Sequence, residues 1–184
     1  GSALAYNTGN TRTTDIEWTA GASTGIGVPH HVVIGDVVAN SVVSFGTTAQ
    51  YRRAVGDLII SNATSGNGIS LSTTAGGDLQ VGRNFTQNGT FTHNGRSLTM
   101  NGAAAQQVSG SLNTAGATNC ISSLIIANTS GGVTLNSNAR ITSTTGNVLT
   151  IQNAGSLNIA GGSTLLIEGN GGNILSSGGA RVIQ

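Results

Sequence analysis

Lysine is absent from this sequence, and charge of either sign is scarce. Seven arginines and six acids make up 7% of the 184 residues and leave a net charge of +1. So weak a field excludes a nucleic-acid partner, because phosphate binding draws on clustered cations whose counterions are released together. Arg52 and Arg53 are adjacent, but two neighbouring cations read as a solvated turn, not a basic stripe. Aromatic residues are 3% of the chain, which leaves few stacking platforms. The single cysteine, Cys120, cannot close an internal disulfide. Set in NCISSLII, it reads as a small buried apolar residue, with no base or cation beside it to favour a thiolate. No apolar run reaches the length of a membrane span, so membrane insertion is not expected. Helix signals are missing too: no capped apolar stripe at i, i+3, i+4 is sustained.

Glycine reaches 29 residues, yet hydrophobic residues make 37%. Disorder would need low hydrophobicity and high net charge together. Short apolar or alternating runs recur instead, bounded by Gly, Asn and Ser. His31–Ile34, Ser41–Phe45, Asp57–Ile60, Ile69–Ser72, Asp78–Val81, Thr90–Thr92 and Ser97–Met100 read as strands. So do Leu124–Ala127, Val133–Leu135, Val148–Ile151, Ser156–Ile159, Thr164–Ile167 and Arg181–Ile183. Asn88-Gly89, Asn94-Gly95 and Asn101-Gly102 punctuate them. Asn-Gly makes tight hairpins in antiparallel folds, and it also makes left-handed bends between the faces of a parallel solenoid.

A repeat favours the solenoid. Residues 57–102 match residues 123–170 at an offset of roughly 65 residues. Leu58-Ile59-Ile60 aligns with Leu124-Ile125-Ile126, Ile69-Ser70-Leu71 with Val133-Thr134-Leu135, and Phe91 falls opposite Leu157. Within the first copy, Leu58, Leu79 and Leu98 recur about twenty residues apart, the length of one coil of short strands. Inward Leu, Ile and Val would stack on the coils above and below, and outward Thr, Ser and Asn would form ladders. Few charges suit such a stack, because like charges in a ladder repel.

The first fifty residues depart from this pattern. They hold Trp18, Pro29, His30-His31 and half of the acids, and are read as an N-terminal cap with lead-in strands (1–50) ahead of the coils (51–184). An end coil exposes an apolar cross-section and unpaired strand edges, which need covering, and Trp18 is large enough to act as a lid. At the other end GGARVIQ reads as an apolar strand without a polar cap. Trp18, Val182 and Ile183 are therefore the residues expected at an assembly contact.

The segments GGDLQVGRNFTQNGTFTHNGRSLTMNG, AQQVSGS and SSLIIANTSGGVTLNSNARITSTTGNVLTIQNAGSLNIAGGSTLLIEGN resemble the β-solenoid stretches of large secreted surface proteins of Bacteroidota. WTAG followed by GVPHHVVIGD is similar to what precedes such stretches. The resemblance covers residues 15–175. It implies a parallel β-helix exported to the cell surface and used for adhesion, matrix or carbohydrate contact. The C-terminal sorting domain usual in those proteins is not in this sequence.

Chemistry-bearing groups are sparse. Glycoside hydrolysis needs two carboxylates across a cleft, and Asp15 and Glu17, two apart on one strand face, are the nearest pair. Asp57 and Asp78 each precede a strand, one coil apart, and suit a structural corner. His30 and His31 point to opposite faces of a strand and would not share a metal with Asp36. GNGGN at 169–173 lacks the aspartates of calcium-binding repeats. Thr-x-Thr at Thr11/Thr13, Thr90/Thr92 and Thr142/Thr144, the kind of ladder that orders ice, does not recur at coil spacing. No phosphate loop is present.

The sequence thus predicts an all-β, right-handed parallel β-helix with an N-terminal cap, the hand following the bias of parallel crossovers. It predicts a non-catalytic extracellular structural protein without cofactor or metal, a surface adhesin stalk or a filament subunit joined end to end by β-strand stacking. Its partners would be itself, neighbouring domains of a longer surface protein, or glycans. The alternative is a carbohydrate-binding module on a solenoid face; a polysaccharide-active enzyme or an ice-binding protein follows behind.

Overall fold

The computed structural model describes residues 2–152, 155–168 and 172–176. Its strands are short and pair in parallel, and they wind into a β-solenoid of about 6 turns. Each turn visits three faces. The first carries β1 (Ala3–Tyr6), β3 (His31–Ile34), β6 (Leu58–Ile60), β9 (Phe85–Gln87), β12 (Gln106–Gly110), β14 (Val133–Leu135) and β17 (Leu157–Ile159). The second carries β2 (Thr11–Thr13), β4 (Val42–Ser44), β7 (Gly68–Ser70) and β10 (Thr90–Thr92), then, after a break, β15 (Ala139–Ile141) and β18 (Leu165–Ile167). The third carries β5 (Arg52–Ala54), β8 (Leu79–Val81), β11 (Ser97–Met100), β13 (Ser123–Ile126), β16 (Asn147–Ile151) and β19 (Asn173–Ser176).

Period-2 alternation decides which side chains meet. On the third face, Leu79, Leu98, Leu124 and Leu149 stack in register and are buried. On the first, Val32, Leu58 and Phe85 do the same. The outward residues between them form the expected polar ladders. Ser97 Oγ lies 2.8 Å from Ser123 Oγ, Thr86 Oγ1 lies 3.3 Å from Ser109 Oγ, and Asn101 Nδ2 donates to Gln80 Oε1 at 3.0 Å.

The coil is longer than the sequence spacing suggests. Leu58 pairs with Phe85 and Leu124 with Leu149, steps of 27 and 25 residues, although Leu79 to Leu98 is a step of 19. Leu58 is not in the Leu79 column at all; it belongs to another face. The long repeat is likewise out of phase with the coils. Leu58–Ile60 lies on the first face and its sequence match Leu124–Ile126 on the third, while Ile69 lies on the second face and its match Val133 on the first. Every face is built to the same apolar-in, polar-out rule, so one face resembles another in sequence.

An N-terminal cap distinct from the coils is not shown. β1 pairs in register with β3 and β2 with β4, so residues of the first fifty are already rungs of the stack. The bends between faces take left-handed residues, among them Asn94 (φ 49°) and Gly95 (φ 74°). Corner side chains then bind backbone. Asn67, buried, donates from Nδ2 to Gly35 O (3.0 Å) and Thr64 O (2.6 Å), and its Oδ1 accepts from Ser41 N–H (3.1 Å). Gly35 sits against it with φ +72°, and a Cβ there would lie 1.9 Å from Asn67 Cγ. Gly35→Ala is therefore expected to lower stability by about 3 kcal/mol or more, from combined overpacking and left-handed strain. The urea midpoint measures this, and a change within error would show that the corner relaxes freely.

Candidate functional site

The N-terminal end of the stack concentrates the aromatic residues. On the third face the first coil has no strand; a 3-10 turn, Ile16–Trp18, runs there instead. Trp18 is 0% exposed. Its ring lies 6.3 Å from Tyr6 and 5.3 Å, edge to face, from Phe45, and its Nε1–H donates to Arg53 O at 2.9 Å. An indole so enclosed closes the core from within. It has no surface of its own to offer a second subunit, so a contact at this end would be made by the residues over it.

Arg52 corrects the reading of Arg52-Arg53 as a solvated turn. The pair lies in β5, where alternation turns Arg52 inward to 5% exposure. β5 is the first rung of its face, so the guanidinium fills the place of a preceding coil. Its Cζ sits 5.0 Å from the centre of the Phe45 ring, a cation–π distance, and Nη2 donates to Thr14 O at 3.3 Å. Burial lowers its pKa, opposed by the Tyr6, Glu17 and Asp15 groups nearby.

Glu17 is held beside this cluster. Its Oε1 accepts from Tyr6 OH (3.2 Å) and Arg12 Nε (3.5 Å), and its Oε2 from the Asp15 N–H (3.2 Å). Burial by itself would raise the carboxyl, but donors from the Glu17 and Asp15 backbone, Tyr6 and Arg12 outweigh it and hold the pKa below the ordinary range. Burial pushes the Tyr6 phenol up, and the Glu17 carboxylate adds to that. A group so arranged stays ionised and accepts hydrogen bonds; a general acid needs the opposite shift. Asp15 and Glu17 do not share a strand face as expected, because Glu17 stands in the 3-10 turn and Asp15 just before it. Glu17, Gly25, Ile26 and Pro29 line a cleft of about 350 Å³ that also touches Ala3 and Leu4 of β1.

The histidine pair is closer than expected. His30 precedes β3, so strand alternation does not separate it from His31, and the two rings lie 4.3 Å apart. His31 Nδ1 lies 3.1 Å from both the Asp57 backbone nitrogen and Asp57 Oδ2. Among the described residues, no three His, Cys, Asp or Glu side chains converge as a metal site would require. Asp57 and Asp78 have matching tasks on different faces: each carboxylate accepts the N–H of a residue one coil on, Asn84 (3.0 Å) and Ser97 (2.7 Å).

Two features escaped the sequence reading. One is a polar cleft of about 400 Å³ where the second face breaks, lined by Gly110, Ser111, Asn113, Thr114, Ser137 and Asn138. Ser137 Oγ is buried there without a hydrogen-bond partner among the described residues. The other is a buried cluster of His93, Cys120 and Thr142. His93 Nδ1 accepts the Gly95 N–H (2.9 Å), which puts the ring proton on Nε2, 3.3 Å from both Gly116 O and Thr142 Oγ1. Cys120 Sγ donates to Gly116 O at 3.0 Å, and burial raises its pKa. The thiol is thus a buried donor, as its sequence context suggests. Thr11/Thr13 and Thr90/Thr92 stand at the two ends of the four-stranded sheet of the second face, with Val42/Ser44 and Gly68/Ser70 between them. Val182 and Ile183, expected at an assembly contact, lie outside the described residues, as does most of GNGGN at 169–173.

No protein-family model, no curated protein and no solved structure matches this chain. Of the resemblance drawn from the sequence, the parallel solenoid is seen; a family or bacterial lineage is not. Among the described residues no helix is long and apolar enough to cross a membrane.

Burial lowers the His93 pKa below the usual 6.5, with the Gly116 carbonyl opposing. Below that pH the unfolded chain binds a proton that the folded chain resists, so this contribution is complete above pH 6.5 and is lost as pH falls through it. Thermal melts between pH 8 and pH 5 should show a decline that His93→Gln flattens (range chosen to bracket the ordinary histidine pKa of about 6.5). An unchanged slope in the variant would remove His93 as its source.

Proposed function

We propose that this protein is a non-catalytic structural module of the cell exterior, a surface stalk or filament subunit, that lengthens by stacking end to end with a second copy. The observation that carries the reading is where large apolar side chains are exposed. Among the described residues they are Ile16, Ile26, Val37 and Val38 in the first two coils, and Leu166, Ile174 and Leu175 in the last. The coils between have none of them. Ile26 is 99% exposed and Ile174 57%, whereas Leu149, one rung below Ile174 in the same column, is 0%. Exposed apolar surface of this kind marks a contact.

Backbone polarity supports a head-to-tail arrangement. The carbonyls of Ser2 and Tyr6 accept from His31 and Gly35 N–H groups of the next coil, which turns the peptide groups of Ala3 and Ala5 to the outer edge of β1. At the far end the Ser156 carbonyl and the Ala160 N–H bind back to β14, which turns those of Leu157 and Ile159 away from it. In a parallel ladder the two edges have matching phase. One edge fits the other in continued parallel register, whereas two like edges could pair only antiparallel; the parallel contact is heterologous, and a heterologous contact that does not close gives a filament. Adhesion or matrix contact at the cell surface, alone or beside neighbouring domains of a longer surface protein, is the role that the sequence resemblance adds.

A second reading, glycan binding, is favoured by the cleft at Ser111, Asn113 and Ser137, whose uncharged hydroxyl and amide lining suits a neutral polyol. Size-exclusion chromatography and negative-stain microscopy over a concentration series separate the two. Assembly into rods that grow with concentration is expected, and Ile26→Asp or Ile174→Asp should return it to monomer with thermal stability nearly unchanged, since exposed positions contribute within about 0.5 kcal/mol. A chain that stays monomeric at high concentration overturns stacking, and binding of that monomer on a glycan array, lost in Asn113→Ala, establishes the second reading.

A further inference from the structure

Four Asn-Gly pairs fall among the described residues: Asn67-Gly68, Asn88-Gly89, Asn94-Gly95 and Asn101-Gly102. Such a pair is chemically unstable. The glycine nitrogen, once deprotonated, attacks the asparagine Cγ. A C–N bond forms to give a five-membered imide, and the side-chain nitrogen leaves as ammonia. Water then opens the ring at either carbonyl, leaving aspartate or isoaspartate. Two conditions govern the rate in a folded chain: the side-chain amide must be free to turn, and the glycine N–H must be free to ionise. Glycine allows the approach because it has no Cβ.

Three pairs fail both conditions. Asn67 is locked by the corner bonds described above, and Gly68 N–H donates to Ser41 O at 3.1 Å. Asn94 Nδ2 donates to Leu71 O (2.7 Å) and Ser70 Oγ (3.1 Å), and Gly95 N–H to His93 Nδ1 (2.9 Å). Asn101 Nδ2 donates to Gln80 Oε1 (3.0 Å), and Gly102 N–H to Gln106 Oε1 (2.8 Å). Asn88 differs. Its side chain is exposed and hydrogen-bonds to no described residue, and Gly89 N–H donates to none; the pair is held only through the Asn88 N–H, which donates to Ile60 O at 2.9 Å, and the Gly89 carbonyl, which accepts from Gln87 Nε2.

We propose that Asn88-Gly89 is a site of spontaneous modification in the folded protein, converting to aspartate and isoaspartate while the other described pairs are protected. The location gives the change a consequence. Asn88 turns the chain from β9 to β10, and an isoaspartate adds a backbone carbon where β10 must keep register with β7. The second face breaks after that strand.

Peptide mapping by mass spectrometry of the full chain, aged at mildly alkaline pH, tests this. Among the four described pairs, conversion should appear first in the peptide holding Asn88, roughly tenfold or more faster than at Asn67, Asn94 or Asn101, because each of those must first break ordered hydrogen bonds. In denaturant the four rates should converge, and Asn88→Gln should abolish the early product in the folded chain. Equal rates at the four sites in the folded chain, or earlier conversion at Asn94 or Asn101, would overturn the proposal.

Discussion

Parallel in-register pairing between successive coils sets each residue about 4.8 Å above its counterpart, and the rest of the structure depends on meeting that condition at every position. Inward positions must offer apolar surface of similar width, as the column from Leu79 to Leu149 does. Outward positions must tolerate their own kind, which favours Ser, Thr and Asn over charge. Where charges do approach one another across coils they are of opposite sign, as at Arg140 with Glu168. The scarcity of charge is thus a requirement of the ladder itself.

The condition is relaxed at corners and breaks, and there buried amides complete the hydrogen bonding. β12 is two residues out of step: Val108 faces Phe85 at the first inward place on one side and Leu135 at the second on the other. Gln87 and Gln106, both buried, flank this slip. Gln106 Nε2 donates to Val81 O (3.0 Å) and Oε1 accepts from Asn128 Nδ2 (2.9 Å), while Gln87 Nε2 donates to Asn119 Oδ1 (3.0 Å). A buried amide left without partners would cost more than these bonds contribute; Gln106 is bonded at both ends of its amide, whereas Gln87 Oε1 is buried without a partner among the described residues, so the slip carries a cost on that side. A ladder has no internal reason to stop, and its ends therefore differ most from its middle. Trp18, Tyr6, Phe45 and Arg52 close the N-terminal coils from within, while Ile174, in the last described strand of the third-face apolar column, is exposed.

Strands with apolar inward residues were legible in the sequence: His31–Ile34, Thr90–Thr92, Ser97–Met100 and Val133–Leu135 stand as read. Of those that were not, β5, β9, β12 and β15 place Arg52, Ala54, Gln87, Gln106 or Ala139 inward, while β1, β2 and β19 lie in the first and last described coils. Alternation of apolar and polar types cannot reveal a strand whose buried member is polar or small. The structural task of Asp57 and Asp78 was legible because a short acidic residue before a strand has one common role, but their placing was not: they precede strands on different faces instead of standing one coil apart. The polar cleft and the His93 cluster were not, since they join residues from separate coils.

The residue types alone determined that this chain is all-β, built of short strands in stacked parallel coils and poor in charge, because local alternation and composition act within a few residues. Tertiary structure decided the length of a coil, the face on which each strand lies, the burial of Arg52 and the difference between Asn88 and the three asparagines that share its Gly neighbour. Those depend on what lies one coil away, some 25 residues distant in sequence (Leu124 to Leu149, for example), and alternation that repeats on every face carries no record of that distance.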